Sequence, residues 1–326
     1  MLAERAGFAI PSRLNVLVIA MQLCAMAGLF LAAREAHGWL WFLALAAGAG
    51  VVLNSIYSTI HEAEHGMLFS HRRLNDLAGV LLALLFPAPF HLIRQGHLGH
   101  HLRNRSDDEA FDLIVPGESA AWKRLQFFGI VTGFYWATVA LSNVVVLVAP
   151  SILGSRGLRF DRATAAFMDS LNSRYTWAIR VEALAAVVLH VSIVWGCGIP
   201  VLHYLVLYAG FGWSWSAMQY VHHFGTERHV TRGARNLWIW GPLDLLWLNH
   251  NWHLTHHTHP TVPWRHLPRL AAQAPAPLGT APENGPSPAN EASERSFLPA
   301  AYLRMWRGPR RTEDRVENRY AGRIIR

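Results

Sequence analysis

The sequence feature that most constrains the fold is a series of apolar stretches, some of them long enough to cross a bilayer. Residues 14–33 and 39–60 are each near the ~20 residues that a helix needs to span the hydrocarbon core, and only a short turn separates them. Lipid offers no partner to backbone amides, so a single spanning segment must be helical. The sequence therefore predicts a helical hairpin with both ends on one side of a membrane.

Three further apolar stretches follow, at residues 125–148, 177–195 and 201–221. Lys123 and Arg124 precede the first of them, and three arginines at positions 156, 159 and 162 follow it. Basic flanks are typical of cytoplasmic loops, so we expect both ends of this stretch on the cytoplasmic side, in a re-entrant or in-plane segment. The uncharged residues 196–200 suit an external turn between the other two stretches.

A shorter apolar stretch, residues 77–90, contains Pro87 and Pro89 and is too short to cross and return, so we expect it in the interface. The predicted fold class is an all-α integral membrane protein. It has about four transmembrane helices in two hairpins, together with interfacial or re-entrant helices. This topology places every histidine cluster in a cap on the cytoplasmic face.

Composition supports a membrane protein, because 52% of the 326 residues are hydrophobic and only 15% are charged, against about 25% charged in an ordinary soluble domain. The net charge is +8, and Lys123 is the only lysine. This arginine bias suggests a bacterial chain, and hence the inner membrane. The arginines are scattered between apolar segments, which argues against nucleic acid binding.

The sequence divides into three parts by composition. Residues 1–270 form the predicted membrane body. Residues 271–296 are rich in Pro, Ala, Ser and Gly and predict a disordered linker. Residues 297–326 mix aromatic residues with many arginines, and we expect a basic tail that either rests on anionic lipid or is solvated.

Most of the 19 histidines fall into four tight groups. His61 and His65 lie one helical turn apart and can reach one metal ion. The pattern H-x-x-H-H occurs twice, beginning at His97 and at His253, and places three rings on one helical face with the adjacent pair diverging toward two neighbouring metals. The fourth group is the pair at positions 222 and 223, after the last apolar stretch.

The number of histidines indicates the kind of centre. Imidazole suits zinc, copper, iron and nickel alike, but eight or nine ligands exceed what one tetrahedral zinc needs, which favours two metals. Isolated His37, His190 and His203 are instead expected to be hydrogen-bonded within the protein or at the interface. Carboxylates are expected to compensate the metal charge from just outside the ligands, the candidates being Glu62, Glu64, Asp107, Asp108 and Asp244, with Asp108 and Glu109 the most typical of ordinary surface acids.

Jointly, these motifs resemble the membrane fatty acid desaturase and hydroxylase superfamily. The residues that carry the resemblance are HEAEH from His61, RQGHLGHH ending at His101 with DDEAFD after it, and NWHLTHHTHPTVPW from Asn251. The match spans about residues 61–268, so the resemblance implies that the membrane body, residues 1–270, is the catalytic domain. It implies a di-iron centre that activates dioxygen, with electrons supplied by a separate ferredoxin-like or reductase partner.

The resemblance also assigns roles by position. It implies as iron ligands His61, His65, His97, His100, His101, His223, His253, His256 and His257. Residues expected just outside the ligands are Gln219, His222, Glu62, Asp244 and Asn251. The doubled histidine at 222 and 223 departs from the commonest pattern and leaves open which ring binds, with His223 preferred.

The reaction that the resemblance implies is desaturation of an apolar lipid in the membrane, with a fatty acyl chain as the expected substrate. Hydroxylation or ketone formation on a lipid or terpenoid is the alternative on the same scaffold. Two readings from other classes remain. HEAEH also satisfies the H-E-x-x-H pattern of zinc metalloproteases, but it leaves both H-x-x-H-H motifs unexplained. A metal transporter would place its ligands near mid-membrane rather than at helix ends.

Overall fold

The computed structural model describes residues 7–149, 151, 159, 161–273 and 295–319. Within these ranges the chain is mostly helical. The long helices are α1 (Ser12–Arg34), α2 (Trp39–Glu64), α8 (Thr176–Gly196) and α9 (Val201–Val221). The shorter ones are α3 (Arg72–Leu85), α4 (Phe90–Arg103), α5 (Ala120–Val131), α6 (Phe134–Val148), α7 (Arg162–Ser170), α10 (Gly241–Leu246), α11 (His253–Thr258), α12 (Leu267–Gln273) and α13 (Leu298–Met305).

Two short parallel pairings join distant parts of the chain. Strand β1 (Leu113–Ile114) pairs with β4 (Arg310–Arg311), and β2 (Leu237–Trp238) pairs with β3 (Ser296–Phe297). Both pairings bring a C-terminal strand onto a loop of the membrane body. Residues 296–311 are therefore part of the folded structure.

Helices α2 and α9 form the centre of the bundle and pack lengthwise against each other. Gly210 on α9 allows this close approach, since a Cβ at this position would lie 2.3 Å from the carbonyl oxygen of Ala46 on α2. Small residues serve the same purpose in membrane helix pairs generally. Helix α1 packs on α2 as the other arm of a helical hairpin, and Gln22 of α1 donates hydrogen bonds to Ser55 and Thr59 of α2. The side of the membrane on which both ends of this hairpin lie stays a prediction.

Among the described residues, three helical segments are long and apolar enough to cross a membrane: Ser12–Arg34, Trp39–Glu64 and Ser173–Gly196. The number rises to five if each of two bent helix pairs is one span. The predicted crossing 201–221 forms α9 with those bounds, but α9 is not among the three. Its aromatic, glycine and serine residues lower its hydropathy. They are tolerated because α1, α2, α5, α6 and α13 all pack on α9 and cover it.

Both bent pairs occur where the sequence predicts irregular segments. Helices α3 and α4 meet at 102°, across the predicted break at Pro87 and Pro89, and α5 and α6 meet at 90°. Gly133 makes the second bend with φ of +93°, in the left-handed region that favours glycine. Stretch 125–148 is therefore two helices rather than one. The expectation that neither pair crosses the membrane stays a prediction.

The break between α3 and α4 leaves backbone groups without helical partners, which is costly in an apolar environment. Side chains from three other helices bond these carbonyls: His190 with Leu84 (2.8 Å), Tyr208 with Leu85 (3.0 Å), and Asn143 with Pro87 (2.6 Å). Glu182 of α8 accepts the backbone N–H of His91 at the start of α4 (3.1 Å). The direction of α4, which carries three of the predicted metal ligands, is thus fixed from both ends of the break.

Part of the C-terminal segment packs on the body. Leu298, Ala301 and Met305 of α13 are buried against Phe127 of α5 and Met218 of α9. The opposite face of this helix, with Leu303 and Trp306, is exposed, so the expected contact of the tail with lipid or water stays a prediction. Most of the predicted linker 271–296 lies outside the described residues. Its first three residues end α12, and Ser296 is already in a strand.

The close contact at Gly210 yields a stability prediction. We expect Gly210→Ala to lower the melting temperature in detergent, at a cost of about 1–3 kcal/mol, because its Cβ meets backbone that cannot rotate away. Gly28→Ala on α1 is the matched control, since a Cβ there meets nothing within 4 Å. Equal melting temperatures for the two variants would contradict the packing described.

Candidate metal centre

The nine histidines assigned above as ligands lie together in two groups. The first group comprises His61, His65, His97, His101 and His256, and the second comprises His100, His223, His253 and His257. Within each group, one nitrogen from every ring lies within 4.8 Å of the others. Nitrogen ligands on opposite sides of one metal ion lie about 4 Å apart at ordinary metal–nitrogen bond lengths. Each group therefore has the dimensions of a single metal site.

Helices α2, α4, α9 and α11 supply the rings at or near their ends. The adjacent histidines of both H-x-x-H-H motifs separate as the spacing predicted: His101 and His256 enter the first group, and His100 and His257 enter the second. Rings of the two groups also contact each other, with 4.3 Å between the ring centroids of His101 and His257. The arrangement is therefore a pair of adjoining sites.

Within each group the Nε2 atoms face one another. The Nε2 of His65 is 2.7 Å from that of His97, and the Nε2 of His223 is 3.1 Å from that of His253. The Nε2 of His61 is buried and has no hydrogen-bond partner among the described residues. Converging lone pairs without protein partners are what a metal ion requires. The donor set fits two metal ions.

The environment keeps the three rings of α11 neutral. Burial, reinforced by the other histidines nearby, lowers the pKa of His253, His256 and His257 well below the ordinary range. A neutral imidazole has a free lone pair, whereas an imidazolium cannot bind a metal.

Glu109 orients one of the proposed ligands, a role that the sequence did not reveal because this residue resembles a surface acid. His100 donates from Nδ1 to the Glu109 carboxylate (2.7 Å), and Arg103 donates to the other oxygen (2.9 Å). Burial alone would raise the pKa of Glu109, but Arg103 and His100 lower it to about 2. A carboxylate in this position fixes the tautomer of His100 and leaves its Nε2 free for a metal. Its place in the DDEAFD run does not distinguish it from its acidic neighbours.

The adjacent His222 and His223 take different roles. His223 donates from Nδ1 to the carbonyl of Gly233 (2.8 Å), and its Nε2 points into the second group. His222 lies outside both groups, and its Nε2 is 3.2 Å from the amide oxygen of Asn251. Asn251 in turn donates to Asp244 (2.9 Å). Three residues expected just outside the ligands therefore form one chain of hydrogen bonds.

The other residues expected around the ligands make different contacts. Glu62 accepts the backbone N–H of Trp264 (3.0 Å), which ties the HEAEH motif to the Pro-x-x-Pro-Trp run. Gln219 is near the Tyr57 hydroxyl (3.4 Å). Asp107 and Asp108 pair with arginines. Glu64 is buried, with no hydrogen-bond partner for either oxygen among the described residues.

His250 lines two small cavities, and one of them touches the histidine groups. One extends along α2 past Asn54 and Tyr57, and the other touches His61 and His256. The preceding residues, Leu248 and Asn249, have φ of 49° and 53°, an uncommon conformation for residues with side chains. This turn directs His250 toward the centre, where its ring centroid lies 5.0 Å from that of His61.

A buried ion pair anchors the loop that carries Glu109. Arg105 and Asp112 are both almost fully buried and pair with each other. The Tyr220 hydroxyl on α9 donates to Asp112 (2.6 Å) and accepts from Arg105 (2.7 Å). Gly225 also donates its N–H to Asp112 (2.7 Å). The loop is thereby fixed to the end of α9, next to His223.

Loss of this anchor should be costly. We expect Asp112→Ala to destabilise the protein by about 3–5 kcal/mol, since it leaves the buried guanidinium of Arg105 without a counter-charge. Asp169→Ala, which removes a partly exposed pair with Arg159, should cost at most about 1 kcal/mol. Thermal unfolding in detergent measures both, and similar losses would show that the buried pair has no special role.

Comparison with known proteins identifies the family of this chain. A family model described as fatty acid desaturase matches residues 36–286. Sphingolipid delta(4)-desaturase DES1 of Bos taurus is 23% identical over 269 residues, covering 80% of this chain and 75% of the relative. The sphingolipid delta(4)-desaturase/C4-monooxygenase DES2 of Homo sapiens is 25% identical over 275 residues, with 81% and 74% covered. The sn-2 acyl-lipid omega-3 desaturase (ferredoxin) of Helianthus annuus is 25% identical over 272 residues, with 77% and 59% covered. Since the family model spans well over half of its length, the chain belongs to the fatty acid desaturase family.

Proposed function

We propose that the protein is a membrane-bound di-iron oxidoreductase that uses O2 and external electrons to desaturate an apolar lipid, with a fatty acyl chain as substrate. The observation that carries the proposal is the pair of adjoining histidine groups, five rings in one and four in the other. A single zinc site of the protease type would need only the first group, and would leave the second without a role.

Iron is the metal that we assign to both groups. Imidazole alone does not select iron, and the family membership and the need for redox chemistry support the assignment. When bound, iron would supply the oxidising power to break an unactivated C–H bond, which no amino-acid side chain can do. The first group would hold one ion and the second group the other, with His223 rather than His222 in the second.

The protein's own residues perform the supporting steps. Buried surroundings keep the imidazoles neutral, and Glu109 and the Gly233 carbonyl fix which nitrogens of His100 and His223 face inward. The hydrogen-bonded chain from Asp244 through Asn251 holds His222, whose ring packs 4.5 Å from that of His253. A dry and rigid donor set of this kind favours metal-centred chemistry over side reactions with water.

The arrangement in the membrane that we propose has four crossings in two hairpins, formed by α1, α2, α8 and α9. The histidines lie at the same ends of α2 and α9, which would place the centre on the cytoplasmic face of a bacterial inner membrane. The electron donor is then a separate ferredoxin-like protein or reductase. The relative from Helianthus annuus, whose name specifies ferredoxin, supports this choice.

Hydroxylation is the second candidate reaction. It is supported by the relative named both desaturase and C4-monooxygenase. The two reactions share the removal of the first hydrogen and differ only in the fate of the carbon radical that this step leaves, so the same centre would serve both.

Lipid profiling of membranes that express the protein tests the proposal. We expect a new unsaturated lipid with the wild type, and loss of that product with His257→Ala, because the second group then has three rings. His259→Ala is the matched control: this ring is exposed, two residues further on, and its loss should leave the product level unchanged.

Metal analysis of the purified protein accompanies the profiling. Two irons per wild-type chain are expected, and fewer in His257→Ala. One zinc per chain with no iron, or a product that persists in His257→Ala, would overturn the proposed function. An oxygenated product in place of an unsaturated one would show that the reaction is hydroxylation.

A further inference from the structure

The segment 295–319 follows the family-matched part of the chain and contacts the supports of the second histidine group from two sides. One contact is made by Arg295 at its start, and the other by residues 315 and 316 near its end. Both lead through a short chain of contacts to a member of the second group.

The first contact runs through Asp244. Arg295 pairs with this carboxylate (2.8 Å), and its guanidinium stacks on the Trp252 ring, 4.0 Å from the centroid. Arg295 also donates from Nε to the carbonyl of Leu237 (2.7 Å). The guanidinium is therefore held on three sides.

Asp244 connects Arg295 to the second group through hydrogen bonds. Its other oxygen accepts from Asn251, whose amide oxygen is 3.2 Å from His222 Nε2. The His222 ring lies against His253 of the second group, with 4.5 Å between centroids. Arg295 thus sits at the outer end of the chain that orients His253.

The second contact runs through Asp107. Arg315 pairs with this buried carboxylate (2.6 Å), and the backbone N–H of Val316 donates to it (3.0 Å). Asp107 donates its own N–H to the Val316 carbonyl (2.8 Å). Glu109, two residues further along the same compact turn, accepts from His100 of the second group.

We propose that residues 295–319 are a positioning element for the second metal site, in which Arg295 and Arg315 fix the residues that orient His253 and His100. The inference rests on the proposed function, in that it takes the second group to bind a metal ion. Residues beyond the ligands typically contribute 10- to 100-fold to metal affinity. Loss of Arg295 should therefore lower the affinity of the second site for its metal ion much more than that of the first site.

Chelator titration of the full-length protein in detergent, loaded with iron, tests this. In Arg295→Leu we expect one iron to leave at roughly 10- to 100-fold lower chelator concentration than in the wild type, while the other is unchanged. Arg295→Lys retains the charge and should recover part of the affinity. Arg34→Leu, which removes an exposed pair with Glu35, is the control and should behave as the wild type.

Double variants identify which iron responds. The effect of Arg295→Leu should persist beside His61→Ala, which weakens the first group, and should disappear beside His223→Ala, which already weakens the second. Arg315 is more exposed, so Arg315→Leu should lower the affinity for the same iron without loss of folding. The inference would be overturned if Arg295→Leu and Arg315→Leu released both irons at the wild-type chelator concentrations. It would also be overturned if both irons were bound equally more weakly and the melting temperature fell as well. A wild type without bound metal would instead refute the proposed function itself.

Discussion

Nine imidazoles gathered within a few ångströms of one another, away from water, are tolerable only if they stay neutral, since several imidazolium cations at this spacing would repel one another strongly. A neutral ring has one N–H and one lone pair, and each needs a partner. Glu109 and Gly233 accept N–H groups of His100 and His223, while the lone pairs converge on two common points. The rest of the fold serves to hold the rings in this arrangement.

The helices that carry the rings are fixed by contacts far from the rings themselves. Gly210 lets α9 approach α2 until backbone meets backbone. The break between α3 and α4 is stabilised by side chains of α6, α8 and α9, so that α4 approaches the centre at a defined angle. The ion pair of Arg105 with Asp112 then fastens the loop after α4 to the end of α9. The precision of the centre thus depends on polar contacts in the body as much as on the motifs.

Helix positions and the division of the histidines could be predicted from the sequence because both depend on local periodicity. Apolar length predicts a helix such as α9, and the spacing in H-x-x-H-H separates His100 from His101 on the helix surface. The role of Glu109 could not be predicted in this way. It depends on the fold of the loop after α4, and nothing local distinguishes it from Asp108.

The contacts of residues 295–319 could not be predicted for a related reason. Composition placed Arg295 in a disordered linker and Arg315 in a basic tail, yet Arg295 pairs with Asp244 of α10 and Arg315 pairs with Asp107 in the loop after α4. Such pairing depends on tertiary structure that the local composition does not reveal.

The central claim is that the two histidine groups hold two irons side by side. The most direct measurement is anomalous scattering at the iron absorption edge from crystals of the purified protein. Two peaks are expected, one enclosed by the first group and one by the second. A single peak, or peaks that appear at the zinc edge but not at the iron edge, would contradict it.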